Sequence, residues 1–408
     1  MRFRHPATLG AAGFLAAAIT VVTASPATAA EPEYAEWQLD GTSGTMTLPA
    51  AGFPIAEWET DSGGPQIQSG ATTFLGADTP FGAEFGGSQG QEYAFIRPAP
   101  ANQPSTTTFT FPGATPASGW GFATGDIDAD KIEISGTDAA GNPVSAAELG
   151  FQGAFNYCRN VPKPGSCTAD PGDDLPTYSE TGDTAVLTGN GSDTSGASGW
   201  FTPTVPLSSL TFEFSVLQGA PVYQLWFATD TRTVAGQLNG GCEGSAAEGT
   251  VALLDGEGTP IVGADGTPVV TEAEADGSYA FPSIAPGDYE VRVTPAAGLE
   301  VDGTNPVNAD ATNDDVDGAD FTLRCEAAPP TTTSPPEPTT DPATTQPPST
   351  STSTAQAVAV PPQDTGTTPL AATGVRTGPM IGAAVLLLLA GTAMLVAVKR
   401  RGKRATGG

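Results

Sequence analysis

Between residues 31 and 235 the chain is a succession of short runs in which apolar and polar positions take turns. Thr45-Met46-Thr47-Leu48, Thr106-Thr107-Thr108-Phe109-Thr110-Phe111, Lys131-Ile132-Glu133-Ile134 and Leu210-Thr211-Phe212-Glu213-Phe214 carry apolar side chains at alternate places. A strand turns successive side chains to opposite faces, so this period of two predicts half-buried β-strands. Tyr223-Gln224-Leu225-Trp226-Phe227 reads as a further strand. Clusters of Gly, Pro, Asp and Ser separate the runs and supply turns. No amphipathic helix of useful length is present. About 205 residues of this kind can bury a full core, which predicts a β-sandwich or jelly-roll head over residues 31–235.

From residue 241 to residue 325 the rhythm tightens. Gly249-Thr250-Val251-Ala252-Leu253-Leu254-Asp255 reads as a strand running into an Asp-Gly turn. Asp276-Gly277-Ser278-Tyr279-Ala280-Phe281 reads as a turn and the next strand. Pro286-Gly287-Asp288-Tyr289-Glu290-Val291-Arg292-Val293 is a turn followed by alternation, which points Tyr289, Val291 and Val293 inward. These blocks resemble the B-type repeats of staphylococcal and collagen-binding adhesins. The resemblance implies a small transthyretin-like β-sandwich that serves as a stalk. Many such repeats carry a Lys–Asn isopeptide crosslink; no lysine lies between Lys163 and Lys399 here, so that crosslink is excluded.

The ends of the chain predict where it resides. Residues 1–30 open with Arg2 and Arg4, run through apolar positions and close on Ala27-Thr28-Ala29. That layout predicts a cleaved secretory signal peptide. Residues 379–398 are twenty positions without a charge, about 30 Å of helix and one hydrocarbon thickness. Lys399, Arg400, Arg401, Lys403 and Arg404 follow, a basic cluster that stays cytoplasmic and leaves the rest outside. Just before the apolar run stands Leu370-Ala371-Ala372-Thr373-Gly374. Motif, transmembrane helix and basic tail together resemble the cell-wall sorting signal of sortase substrates. Ala371 replaces the proline of the usual L-P-x-T-G, giving the L-A-x-T-G form that looks like the variant used by sortases of high-GC actinobacteria. The resemblance implies cleavage between Thr373 and Gly374 and transfer of the Thr373 carbonyl to a peptidoglycan amine. Residues 369–408 are thus expected to be a sorting signal, on a secreted protein that spans the membrane once in transit to the wall. Residues 326–368 are rich in Pro, Thr and Ser. Such a tract buries no core and predicts a disordered spacer, reaching roughly 130 Å when extended.

Charge and residue usage narrow the function. Residues 31–373 hold all 45 acidic side chains and seven of the 15 basic ones, a net charge of −38. A surface so acidic repels nucleic acid and anionic lipid. The single histidine, His5, belongs to the leader. The mature chain therefore has no Ser-His-Asp, Cys-His or histidine–zinc site. No enzymatic activity and no obligatory cofactor are expected. A glycan hydrolase built on paired carboxylates is the chemical alternative. A pilin-type subunit joined through lysine is another, with only Lys131 and Lys163 in the mature piece and neither in a W-x-x-x-V-x-V-Y-P-K motif. Outside the cell, the four cysteines are expected to pair as Cys158–Cys167, which is local, and Cys242–Cys325, which closes the small domain.

One constellation carries chemistry. In Gly125-Asp126-Ile127-Asp128-Ala129-Asp130 three carboxylates alternate with small or apolar residues. On an extended strand Asp126, Asp128 and Asp130 share one face. That face is either a calcium site, since calcium takes oxygen ligands, or a solvated acidic edge or turn that deters strand pairing. Asn313-x-Asp315-x-Asp317-Gly318 resembles the opening of an EF-hand loop but has Arg324 where the closing glutamate belongs. Trp37, Trp58, Trp120, Trp200 and Trp226 suit either core packing or a sugar-stacking face. The function these features predict is a wall-anchored surface protein. Its head serves binding or adhesion to a glycan or matrix ligand, or surface structure, held out by stalk and spacer.

Overall fold

Residues 33–98, 103–159, 161–242 and 247–327 are described by the computed structural model. The leader, nearly all of the spacer, Leu370, Ala371, Ala372, Thr373, Gly374 and the apolar run 379–398 lie outside the described residues.

The alternating runs become strands of two antiparallel sheets. The larger has the order Glu36–Asp40, Ser43–Thr47, Ala56–Thr60, Ser105–Thr110, Ser209–Val216, Asp130–Thr137, Thr184–Thr188, Thr177–Thr181, with Pro143–Val144 beside Asp130–Thr137. The smaller has the order Phe151–Asn156, Ala197–Phe201, Trp120–Gly125, Tyr223–Thr229, Tyr93–Ile96, Gln66–Gln68. In the larger sheet the period of two holds: Ile132 and Ile134 are buried while Lys131 and Glu133 turn outward. Aromatic rings fill the space between the sheets, Phe122 lying 4.9 Å from Phe201 and 5.4 Å from Phe212.

The smaller sheet is covered on its other face as well. Thr79 accepts a hydrogen bond from the Gly82 amide at 2.9 Å and caps a short helix, Pro80–Phe85, with proline in the first turn where its missing N–H costs nothing. Phe81 and Phe85 from that helix, with Tyr157, Cys158 and Cys167, pack on Trp226, Ala123 and Ala228. The strands Trp120–Gly125 and Tyr223–Thr229 are therefore buried at every position. Cys158 and Cys167 are disulfide-bonded, with their Cα atoms 5.3 Å apart.

The small β-sandwich follows with almost no linker. Its sheets run Ser278–Ile284, Arg232–Gly241, Phe321–Cys325, Leu299–Val301, with Val316–Asp317 beside Arg232–Gly241, and Val270–Glu272, Gly249–Asp255, Asp288–Pro295, Val307–Asp310. Tyr289, Val291 and Val293 point inward with Val251, Leu253, Phe281 and Phe321, as the alternation predicts. Cys242 pairs with Cys325 at a Cα separation of 5.1 Å. The sequence divides the chain at residues 235 and 241, but Arg232–Gly241 is one continuous strand whose partners all lie in the small sandwich. Its low apolar content hides it from a periodicity reading, so the boundary falls between Thr229 and Arg232.

The two sandwiches are also joined laterally. The Ala51 amide donates to the Ser283 carbonyl at 2.9 Å, and the Ala285 amide donates to the Ala51 carbonyl at 2.8 Å. The side chain of Ala285 is counted in the head core. Gly119, at φ +75°, lies so close that a Cβ there would stand 2.3 Å from Pro286 Cγ. Gly119→Ala is expected to cost about 1–3 kcal/mol through strain and overpacking. The check is the urea midpoint by far-ultraviolet circular dichroism; an unchanged midpoint would show that the junction is loosely packed.

Candidate functional site

The strand Trp120–Gly125 ends at Gly125 in one sheet and Asp130–Thr137 begins at Asp130 in the other, so residues 126–129 cross between the sheets. Asp126 has φ 66°, the left-handed region that Asp tolerates better than most residues but that still breaks an extended backbone. The expected extended strand with a carboxylate face and an apolar face is therefore corrected to a turn. Ile127 and Ala129 are fully buried, but so are Asp128 and Asp130, at 2% and 0% exposure. That burial overturns the solvated part of the edge-or-turn reading, while the turn itself is what the chain forms.

Two further loops close over this turn. The amides of Gly189 and Gly191 donate to the Asp130 and Asp128 carbonyls at 2.9 and 2.8 Å, fastening residues 189–196 to it. Thr194 donates from its amide to Asp128 Oδ2 at 3.2 Å, and Thr194 Oγ1 lies 2.8 Å from the same oxygen. Thr194 Oγ1 also contacts Asp174 Oδ2. The segment that follows Cys167 supplies Asp174, held by Asn156 Nδ2 at 2.8 Å, and Asp170, which accepts from the Ser195 and Gly172 amides at 2.7 and 2.6 Å. Sequence reasoning missed Asp170, Asp174, Asp193 and Thr194. Each sits in a Gly/Ser/Thr/Asp-rich loop where no periodicity marks it, and only the fold brings these loops to Asp126.

The electrostatics are one-sided. Burial pushes the Asp126 carboxyl up to about 9, and Asp128, Asp193, Asp170 and Asp174 push it in the same direction. Burial raises Asp128 to about 6, with the hydrogen bonds from Thr194 and Ala129 pulling the other way. Burial, then Asp128, Asp126 and Asp193, hold Asp130 well above the usual carboxylate range. Asp126 Oδ1 and both carboxylate oxygens of Asp130 are buried without a hydrogen-bond partner. Among the described residues no group of three or more His, Cys, Asp or Glu side chains is placed to hold a metal ion by itself.

The other expected sites resolve differently. Asp315 Oδ1 accepts from the Thr233 amide at 2.8 Å, and Val316–Asp317 pairs in parallel with Val234 and Ala235. The EF-hand-like stretch is therefore a sheet edge. Arg324 bridges Glu300 at 3.0 Å and Asp302 at 3.3 Å. Trp37, Trp58, Trp120 and Trp226 are buried in the core, and the half-buried Trp200 packs 5.8 Å from Phe81, so the five tryptophans do not line one exposed sugar-stacking face.

No family model and no curated protein matches this chain. Among solved structures, the major pilin subunit BcpA of Bacillus cereus aligns at 12% identity over 66% of this chain and 72% of that one, with a TM-score of 0.21. The group B streptococcus pilus 2b backbone protein aligns at 12% identity over 64% of this chain and 98% of that one, also with a TM-score of 0.21. The full-length major pilin SpaD of Corynebacterium diphtheriae aligns at 12% identity over 67% and 66%, with a TM-score of 0.19. Likeness at this level decides neither fold nor function.

Proposed function

We propose that this chain is a cell-wall-anchored surface protein whose two β-sandwiches act as a structural ectodomain rather than as a catalyst. The observation that supports this most directly is the order of its parts: two sandwiches joined by a two-residue crossing and a lateral bridge, then a Pro/Thr/Ser tract and the Leu370-Ala371-Ala372-Thr373-Gly374 sorting signal. Burial of the tryptophans favours a structural role over a sugar-binding head, because the residues best suited to stack on a glycan are spent on the core. All four cysteines are in disulfides, which leaves no thiol nucleophile.

A sortase would act on the Thr373 carbonyl and peptidoglycan would receive it. Thr373→Ala is expected to lower the muramidase-released wall fraction at least about tenfold, with the protein retained in membranes. Normal wall yield from that variant would refute the anchoring.

A pilin-type polymer is the second reading, and the placement of Lys163 favours it. Lys131 is bound to Glu133 in an ion pair, whereas Lys163 sits on an exposed loop near Val161, which is 84% exposed, and donates to the Asp170 carbonyl with no ion pair among the described residues. A ladder of SDS-resistant species lost in Lys163→Arg would establish the polymer; a single wall-linked band would exclude it.

A further inference from the structure

We propose that the Asp126–Asp130 turn binds a calcium ion that ties it to the two loops packed against it at one end of the head. Acidic residues gathered in one place do not make a site by themselves. The decisive feature is Asp130, wholly buried at the start of its strand, with neither carboxylate oxygen hydrogen-bonded. A buried carboxylate with no partner is strongly unfavourable, and a nearby cation is what relieves it. No ion pair among the described residues involves Asp126, Asp128, Asp130, Asp170, Asp174 or Asp193. The chain brings these carboxylates together with no ion-pair partner among the described residues; the Lys163 ammonium meets the Asp170 carbonyl and not a carboxylate.

Thr194 gives a second indication. Its hydroxyl carries one proton yet contacts carboxylate oxygens of both Asp128 and Asp174. Only one of those contacts can be an ordinary hydrogen bond to an ionised carboxylate. A cation beside the pair removes the conflict, as does a proton on one of the two carboxyls, and the calcium comparison below separates the two.

The donor chemistry selects the ion. Every candidate ligand is oxygen, with no histidine or thiolate at hand, which disfavours zinc. No three carboxylates converge on a point, so the shell must mix one or two carboxylates with carbonyls and water. Calcium accepts six to eight such oxygens in flexible geometry, whereas magnesium demands a near-ideal octahedron. Calcium outside cells reaches concentrations that fill even weak sites. The ion would act as a lock, joining the crossing turn to the loop that follows Cys167 and to residues 189–196.

The test uses the full-length chain. Thermal unfolding in EGTA is compared with about 2 mM calcium chloride, and with magnesium chloride at equal ionic strength to control for screening of the acidic surface. Calcium about a hundredfold above its Kd should raise Tm by roughly 5–10 °C, with a much smaller magnesium effect. Terbium provides a readout independent of stability. The Trp226 ring packs on Gly125, next to Asp126, so excitation of tryptophan should sensitise bound terbium, and calcium should quench that signal by displacement. Asp126→Asn/Asp130→Asn should abolish both the calcium shift and the terbium signal. Its Tm in EGTA should stay close to that of the wild type, since without a cation burial keeps both carboxyls protonated and the amides replace neutral groups of the same size. A wild type with no calcium-specific shift and no calcium-displaced terbium signal overturns the proposal. So does a variant that keeps both.

Discussion

Replacing Cys242 and Cys325 by serine should destabilise the small sandwich by about 4.5 kcal/mol, the chain-entropy value for a loop of 83 residues. That is a large part of the stability a small domain has. The loop spans nearly the whole sandwich: Cys242 follows the strand Arg232–Gly241 and Cys325 ends Phe321–Cys325, which pairs with it in parallel. Without the bond, the first and last strands are held only by their ladder and by the contacts of Val234, Leu238, Phe321 and Leu323. The Cys158–Cys167 loop of nine residues contributes less, about 2.5 kcal/mol. The distribution of tryptophan makes the outcome readable, because all five tryptophans lie in the head. Tryptophan fluorescence follows the head, and far-ultraviolet circular dichroism follows both sandwiches. In the double serine variant the dichroism transition should separate and move to lower urea, while the fluorescence midpoint changes little. Coincident and unshifted transitions would show that the disulfide does not limit the stability of the small sandwich.

Phe122→Ala should have a comparable effect on the head, about 3–5 kcal/mol, the cost of emptying a buried aromatic site. Phe122 is fully buried. Its ring lies 4.9 Å from Phe201 in its own sheet and 5.4 Å from Phe212 in the facing one, with Phe227 at 5.8 Å. Alanine leaves a hole that neither sheet can close, because the strand Trp120–Gly125 is held by Ala197–Phe201 and Tyr223–Thr229 on either side. Here the tryptophan fluorescence transition should move to lower urea. A shift confined to the dichroism signal of the small sandwich would contradict the assignment of Phe122 to the head core.

How much of this was legible in the chain depends on the range of the interactions concerned. Tyr289, Val291 and Val293 face inward because strand geometry alternates faces, a local rule that a run of eight residues reveals. Ile132 and Ile134 follow the same rule. The Leu370-Ala371-Ala372-Thr373-Gly374 motif is likewise contiguous, and the lack of any histidine after His5 is a matter of composition. The pairing of four cysteines was legible because one pair is close in sequence and the other brackets a domain.

The tertiary structure decided what distant segments do to one another. Trp120–Gly125 and Tyr223–Thr229 lose their alternation because the helix Pro80–Phe85 and the Cys158–Cys167 loop cover their second face. Asp126 leaves the extended region at φ 66° because the chain must cross from one sheet to the other there, a need no run of six residues announces. Asp170, Asp174 and Asp193 reach the turn only through loops anchored by Thr194, Ser195 and the Gly189 and Gly191 amides. Arg232–Gly241 belongs to the small sandwich because its partners lie dozens of residues ahead. Periodicity reports which face a residue takes within its own strand. Which faces are covered, and which charges meet, is settled by long-range pairing.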